Sequence, residues 1–160
     1  MSHLDPPGLL QAFSTLTLDL QRLAQHQDIE QFHGHALTRI SQLLPFDSAW
    51  WGRAAIIDGL PEEHSSYLHH LPHTYLADWQ SIRHVDVTVG LVHEAPGQAV
   101  IVDMLDPANG PGQNWLGQRY DIGELLCVIH VDPQTRLSDH LSLYRKPGAP
   151  RFNQDDCQLL

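Results

Sequence analysis

Apolar residues near the start of the chain recur at alternating spacings of three and four, which is typical of one face of a helix. They follow Asp5 and the pair Pro6-Pro7, residue types that favour the start of a helix. This apolar seam consists of Leu9, Phe13, Leu16, Leu20 and Leu23. The seam fits either packing on the core of its own domain or a dimer contact between helices. The spacing does not separate these two interpretations.

A second helical pattern follows directly. Asp28 and Gln31 resemble a capping box at its start, and Pro45 favours its end. The apolar positions between them, again at helical spacing, are Ile29, Phe32, Ala36, Leu37, Ile40, Leu43 and Leu44. We therefore predict two consecutive helices before Pro45.

The rest of the chain is predicted to combine strands with short helices. The predicted strands cover 48–57, 65–68, 99–104, 124–132 and 137–146. The predicted short helices lie after Pro72, over 86–93 and over 115–120, and 107–114 is predicted as loop. In the last strand, Leu alternates imperfectly with Ser and His, which predicts a half-buried strand.

This order of elements predicts an α+β fold with a central antiparallel sheet of about five strands and helices packed on one face. The 160 residues suffice for one ordinary domain, so we predict a single domain over 1–160. Asn153 is predicted to cap a last helix, and Leu159 and Leu160 lie in its apolar stripe. We expect that helix, and a partner domain, to continue beyond Leu160.

The net charge of the chain limits the kinds of partner that it is expected to bind. Asp and Glu number 19 against nine Lys and Arg, giving a formal charge of −10. Because nucleic-acid binding rests on clustered cations, we do not expect this stretch to bind DNA, RNA or anionic membranes. No apolar run reaches the length of a membrane span, and the start does not resemble a signal peptide. We therefore expect a cytoplasmic protein.

Motifs that would indicate catalysis or a cofactor are not found in the sequence. Cys127 lies among apolar residues in a predicted strand, where a thiol is usually inert. The 12 histidines are numerous, but His33 and His35 would diverge on a helix and Pro72 interrupts the 69–73 cluster. We expect no enzyme and no cofactor, with a His-based metal, haem or pH sensor as the weaker alternative.

Aromatic residues in the middle of the chain point to a small-molecule pocket. Trp50 and Trp51 are adjacent on a predicted strand, so one must point to each face of the sheet. Rings supply apolar area, and a lone acid such as Asp86 orients a ligand by hydrogen bonding. The eight predicted ligand-binding residues are Trp50, Trp51, Tyr67, Tyr75, Trp79, Asp86, Trp115 and Tyr120. The competing interpretation is that these rings only fill the core.

Four segments carry a resemblance to a known family. They are Phe46-Asp47-Ser48-Ala49-Trp50-Trp51-Gly52, Asp86 ahead of Pro96-Gly97, Leu141-Ser142-Leu143-Tyr144-Arg145, and the stretch from Phe152 to Leu160. Together they resemble the N-terminal GAF/PAS-like sensing domain of LuxR-type helix-turn-helix transcription regulators. The resemblance implies ligand sensing, a homodimer, and a C-terminal DNA-binding domain beyond this stretch as the only contact with DNA.

The autoinducer-binding branch of that family offers a closer comparison. Its aromatic-rich run precedes an Asp that bonds to the amide of an acyl-homoserine lactone, and Tyr75-Leu76-Ala77-Asp78-Trp79 followed by Asp86 is similar. The sequence departs from that branch at Val87, where the branch has Pro, and at Gln98-Ala99-Val100, where it has Trp. The resemblance therefore implies Asp86 as a ligand contact without specifying the lactone.

The sequence thus predicts a regulatory domain that binds a small molecule in an aromatic-lined pocket and signals to a helix-turn-helix domain. The alternative is a ligand-free dimerisation or protein-interaction module built on the apolar seam. A uniform lack of ligand response would favour that alternative.

Overall fold

The chain begins with two helices that form a unit of their own. The structure, a computed structural model, describes residues 5–160. Contacts divide them into a helical unit up to Pro45 and a sheet unit from Phe46 to Gln158. The helices are α1 (Pro6–His26), α2 (Ile29–Leu43), α3 (Thr74–Ile82), α4 (Val87–Glu94), α5 (Gly110–Arg119) and α6 (Gln154–Leu159). The strands are β1 (Ser48–Ile57), β2 (Leu60–His69), β3 (Val100–Asp103), β4 (Glu124–Val131) and β5 (Ser138–Arg145).

Both helices of the first unit start at the predicted caps. A side-chain oxygen of Asp5 accepts from the backbone N–H of Gly8 at 3.0 Å, and Asp28 accepts from that of Gln31 at 2.9 Å. These bonds satisfy N–H groups that have no partner within the helix. No residue of α1 is buried, and Phe13 of the apolar seam is 44% exposed.

The sheet confirms the predicted α+β fold. Five strands pair in the order β2-β1-β5-β4-β3, and every neighbouring pair is antiparallel. β1 has its predicted bounds, and it turns into β2 at Asp58 and Gly59, whose φ angles are 52° and 79°. Such a two-residue turn with positive φ matches the twist of a hairpin. β2 is longer than predicted, because pairing with β1 extends it through polar Glu62, Glu63 and His64.

Two predictions in the middle of the chain are wrong in their bounds. The stretch 107–114 is not a loop, since a 3-10 turn over Pro107–Asn109 leads directly into α5. The helix predicted over 115–120 therefore begins earlier, at Gly110, and ends at Arg119. Pro111 lies in the first turn of α5, where the N–H that proline lacks would have no helical partner. The Gly- and Pro-rich composition therefore marks the start of the helix.

One face of the sheet carries the main core of the sheet unit. Residues from β1, β3, β4 and β5 form a buried apolar cluster with α3, α4 and α5. Among its largest fully buried side chains are Tyr75, Tyr144, Met104 and Leu116. The predicted packing of helices against an antiparallel sheet is confirmed.

β5 is buried more completely than its sequence indicates. Ser138, Ser142 and Tyr144 are 4%, 5% and 2% exposed, and they lie on the same face of the strand as Trp50 of β1. Leu143, on the opposite face, is also buried. The prediction of a half-buried strand is therefore wrong, since the Ser positions face the protein interior.

A β-bulge in the first hairpin changes which side chains face that core. Arg53 pairs with Ser65, but the next residue, Ala54, pairs with Glu63, so His64 is skipped. An extra residue in one strand shifts the alternation of faces beyond it. Glu63 is thereby placed on the same face as Trp50.

None of the helices within residues 5–160 combines the length and the apolar character of a membrane span.

Candidate ligand-binding cavity

A cavity of about 60 Å³ lies between the sheet and helices α3, α4 and α5. Its walls are mainly apolar and aromatic, and four rings dominate them: Trp50, Tyr75, Trp79 and Tyr144. This volume is small, since ligand pockets usually measure about 300 Å³ or more. The rings therefore fill most of the space, and a larger guest would have to displace side chains.

The rings contact one another edge to face. The centroid of Trp50 lies 4.7 Å from that of Trp79 and 5.7 Å from that of Tyr75, with the planes tilted by 70° and 75°. Edge-to-face pairs at such distances are favourable beyond the area that they bury. Trp50 comes from β1 and the other two rings come from α3, so the contact fixes the helix against the sheet.

Two tyrosine hydroxyls meet at the wall of the cavity. The oxygens of Tyr75 and Tyr144 lie 2.8 Å apart, and both side chains are fully buried. Burial raises the pKa of each phenol well above its ordinary value, because the ionised form would lose its hydration. The pair is therefore neutral, and one hydroxyl donates to the other.

Asp86 is held by its own surroundings. One carboxylate oxygen accepts from the indole N–H of Trp79 at 2.8 Å, and the other accepts from the backbone N–H of Thr88 at 2.9 Å. The second bond caps the N-terminus of α4. Asp86 thus joins α3 to α4 while it lines the cavity.

A Glu–His pair lines another part of the wall. His140 Nε2 donates to Glu63 Oε1 at 3.1 Å, and their side chains are 12% and 8% exposed. The second oxygen of Glu63 accepts from Ser66, whose hydroxyl accepts from the indole of Trp50 at 2.9 Å. Glycine at position 52 leaves room for the pair, because a Cβ there would lie 2.5 Å from His140 Nε2.

Two further wall residues each have a buried polar atom without a partner. Gln113 Oε1 and His93 Nε2 accept no hydrogen bond from any residue in 5–160. The other polar atoms of both side chains are engaged: Gln113 Nε2 faces Thr88 Oγ1, and His93 Nδ1 faces the carbonyl of Val89. Unpartnered buried acceptors are uncommon, because each loses its bond to water.

Cys127 also lines the cavity, from β4. Its sulfur accepts from the Ser142 hydroxyl at 3.3 Å, and burial raises the pKa of the thiol to about 12. The thiolate, which is the nucleophilic form, is therefore strongly disfavoured near neutral pH.

Four of the eight predicted ligand-binding residues meet at this cavity and four do not. Those that line it are Trp50, Tyr75, Trp79 and Asp86. Those outside its lining are Trp51, Tyr67, Trp115 and Tyr120. That any of the eight binds a ligand stays a prediction.

The four outside the lining lie there for clear reasons. Trp51 and Tyr67 pair across β1 and β2 on the face of the sheet opposite Trp50. Trp115 is 41% exposed on α5, where the guanidinium of Arg119 lies 5.7 Å from its ring. Tyr120 directs its hydroxyl to Asp78, 2.5 Å away.

Sequence reasoning missed several wall residues. Glu63 reaches the wall through a bulge, and His140 lies in a strand whose polar positions were not expected inside. Gln113 is 1% exposed on a helix predicted as loop at that position. The position of Gln113 three residues before the buried Leu116, on the same face of α5, would have been the available signal.

The histidines do not gather into a metal site among residues 5–160, where no group of three or more His, Cys, Asp or Glu is arranged to hold an ion. His69 and His70 stack with their centroids 3.9 Å apart. Burial is the larger cause that lowers the pKa of His69, and the neighbouring His70 adds to it.

No family model and no curated protein sequence matches the chain. Solved structures do. CepR2 from Burkholderia cenocepacia, an N-acylhomoserine lactone-dependent LuxR-family transcription factor, superposes with a TM-score of 0.67 at 14% identity, covering 92% of this chain and 85% of CepR2. Escherichia coli SdiA superposes with a TM-score of 0.65 at 14% identity, covering 92% of this chain and 63% of SdiA. A second SdiA structure is a complex with octanoyl-rac-glycerol.

GAF domains form the other group of similar structures. The GAF domain of a phosphoenolpyruvate-protein phosphotransferase from Coxiella burnetii superposes with a TM-score of 0.56 at 13% identity, covering 94% of this chain and 84% of that domain. Likeness at this identity concerns the fold. The chain therefore has the GAF-like α+β fold found in sensing domains of LuxR-type regulators, as its sequence resemblance implied.

Proposed function

We propose that this chain is the small-molecule-sensing domain of a LuxR-type transcription regulator in the cytoplasm. The observation that carries the proposal is the convergence of Trp50, Tyr75, Trp79 and Asp86 on one cavity within a GAF-like fold. Among the similar structures, CepR2 depends on an N-acylhomoserine lactone, and SdiA forms a complex with octanoyl-rac-glycerol. Both are small molecules with an acyl chain, and an aromatic-lined cavity supplies apolar area for such a chain.

The domain would act by a shift between conformations. Since the cavity measures about 60 Å³, a bound guest must favour an arrangement of α3, α4 and α5 in which the rings have moved apart. A ligand shifts such an equilibrium only by its difference in affinity for the two arrangements. We propose that the shift passes to a helix-turn-helix domain that follows this stretch, and that the regulator is a homodimer.

We further propose that the domain binds its ligand without transforming it. The thiol of Cys127 and the hydroxyls of Tyr75 and Tyr144 all have raised pKa values, because they are buried. These groups are protonated at neutral pH, so they are poor nucleophiles and poor bases.

A thermal-shift screen tests the proposal. Acyl-homoserine lactones, acylglycerols and aromatic metabolites are added to the folded protein, and at least one class is expected to raise Tm. Trp79→Ala should abolish that rise, because the ring forms the cavity wall. Trp115→Ala, at an exposed ring outside the cavity, should preserve it. A flat screen with well-folded protein, combined with a dimer in sedimentation analysis, would instead support the ligand-free interaction module.

A further inference from the structure

The two buried side-chain polar atoms without a partner, among residues 5–160, both belong to residues that line the cavity. Gln113 is 1% exposed, and its amide nitrogen lies 3.3 Å from Thr88 Oγ1 and 3.2 Å from Met104 Sδ. A thioether sulfur only accepts hydrogen bonds, so the donating NH₂ group belongs on that side. The amide oxygen is therefore the atom left without a partner, and it is an acceptor.

His93 presents an acceptor as well. Its Nδ1 lies 2.7 Å from the carbonyl oxygen of Val89, one turn earlier in α4. Because a carbonyl only accepts, Nδ1 carries the hydrogen, and in that tautomer Nε2 has a free lone pair. The cavity wall thus contains two acceptors of different chemistry, an amide oxygen and an imidazole nitrogen.

The charges of the cavity wall also disfavour an anionic ligand. Its lining includes two carboxylates, Glu63 and Asp86, and neither Lys nor Arg. Asp86 already accepts from Trp79 and Thr88, and Glu63 accepts from His140 and Ser66. An anionic guest would meet like charge without a compensating cation, at the cost of its hydration.

We infer that the ligand presents N–H or O–H donors to Gln113 and His93 and carries no negative charge at its buried end. The inference rests on the proposed sensing function and narrows its ligand to a class. The class comprises amides, amidines and hydroxyl compounds, as opposed to ketones, ethers and carboxylates. A donor that reaches these two acceptors restores hydrogen bonds that burial has removed.

The test uses four molecules of nearly equal size and shape that differ in donors and charge. Acetamide and acetamidinium carry N–H donors, acetone carries none, and acetate is an anion. Each has only four non-hydrogen atoms, so its binding requires less displacement of the cavity walls than binding of an acyl-chain ligand would. The readout is the position of the indole N–H signals of Trp50 and Trp79 in ¹⁵N-labelled protein, followed over millimolar additions.

Acetamide and acetamidinium are expected to shift these signals saturably, with acetone and acetate at least about tenfold weaker. Gln113→Met keeps the volume of the side chain and removes the unpartnered oxygen, and it should weaken acetamide binding about fivefold or more. Gln118→Met is the matched control, since Gln118 is exposed on the same helix. If Gln113→Met does not fold, the relative affinities of the four molecules for the unmodified chain still test the inference.

Equal affinities for acetone and acetamide would overturn the inference, as would tighter binding of acetate. A flat response to acetamide and acetamidinium would overturn it too, leaving the two acceptors as a site for buried water only. The proposed function is judged separately by the thermal-shift screen. A compound that raises Tm in that screen, together with no shift of the indole signals on addition of acetamide, would support the sensing function and contradict this ligand class.

Discussion

Two buried polar clusters of the sheet unit are built differently. Around Arg145, which is 5% exposed, each partner is in place: its guanidinium donates to the carbonyl of Pro150 at 3.0 Å, lies 3.5 Å from Asp156 and covers the ring of Phe152 at 3.9 Å. Asp156 also accepts from the backbone N–H of Asn153. In the cavity wall, by contrast, Gln113 and His93 each retain an acceptor that has no partner among residues 5–160.

We interpret this difference as one between a structural role and the proposed binding role. A buried charge that is paired and hydrogen-bonded holds the last strand to the segment that follows it. A buried acceptor that is left without a partner contributes nothing to the folded state and costs about 1–3 kcal/mol relative to a satisfied group. A site that binds a guest has a reason to retain such atoms, whereas a structural cluster has none.

The largest expected effect comes from breaking the satisfied cluster. Arg145→Met keeps the unbranched apolar stem of the side chain but removes the guanidinium, which leaves the carboxylate of Asp156 buried without its cation. Breaking a buried ion pair on one side destabilises a protein by about 3–5 kcal/mol, so urea denaturation should show a loss of that size. Arg151→Met, at an ion pair whose Arg side chain is 72% exposed, is the matched control, with a loss below about 1 kcal/mol. Equal losses for both variants would contradict the comparison.

The hydroxyl pair of Tyr75 and Tyr144 predicts a loss of stability at alkaline pH. Burial raises both pKa values, so above about pH 10 the unfolded chain releases protons that the folded chain retains. The contribution of the two tyrosines is therefore full below pH 10 and falls above it, by about 1.4 kcal/mol per pH unit for each tyrosine. The buried thiol of Cys127, whose pKa is also raised, adds a shallower loss that begins at about pH 8.5. Denaturation at a series of pH values measures the slope.

Removing the two hydroxyls tests whether Tyr75 and Tyr144 cause the loss of stability at alkaline pH. The double variant Tyr75→Phe/Tyr144→Phe should lose more than half of the pH dependence between pH 10 and 11, because both hydroxyls are gone and only the buried thiol of Cys127 still contributes. Tyr67→Phe, at a half-buried ring on the other face of the sheet, should retain the slope of the unmodified chain. An unchanged slope in the double variant would show that the pair does not titrate as its burial requires.

Local sequence patterns predicted much of the secondary structure but only part of the cavity wall. The bounds of β1 and the opposite faces of Trp50 and Trp51 follow from strand alternation, which acts between neighbours in the chain. The position of Glu63 depends on a bulge, which arises only when two strands pair.

Burial was predicted less well than secondary structure. Ser138 and Ser142 resemble solvent-facing positions, yet β5 is a central strand with helices over that face. Trp115 resembles a core ring, yet it is 41% exposed. Tertiary packing decides which face of a strand or helix is buried against another layer. The residue pattern within one strand or helix does not specify that face.

Asp86 gives the smallest and most discriminating effect, because the sequence resemblance and the structure assign it different roles. Asp86→Ala removes the cap of α4 and the acceptor of the Trp79 indole, so the free energy of unfolding should fall by about 1–2 kcal/mol. Asp86→Asn retains one oxygen for the cap of α4 but turns an NH₂ donor toward the indole N–H of Trp79, so the free energy of unfolding should fall by about 1 kcal/mol or more. If Asp86 also orients a ligand through its charge, the Asn variant will fold but will lose the Tm rise in the ligand screen. If Asp86 only joins α3 to α4, the Asn variant will keep that rise, and ligand recognition will rest on the unpartnered acceptors of Gln113 and His93.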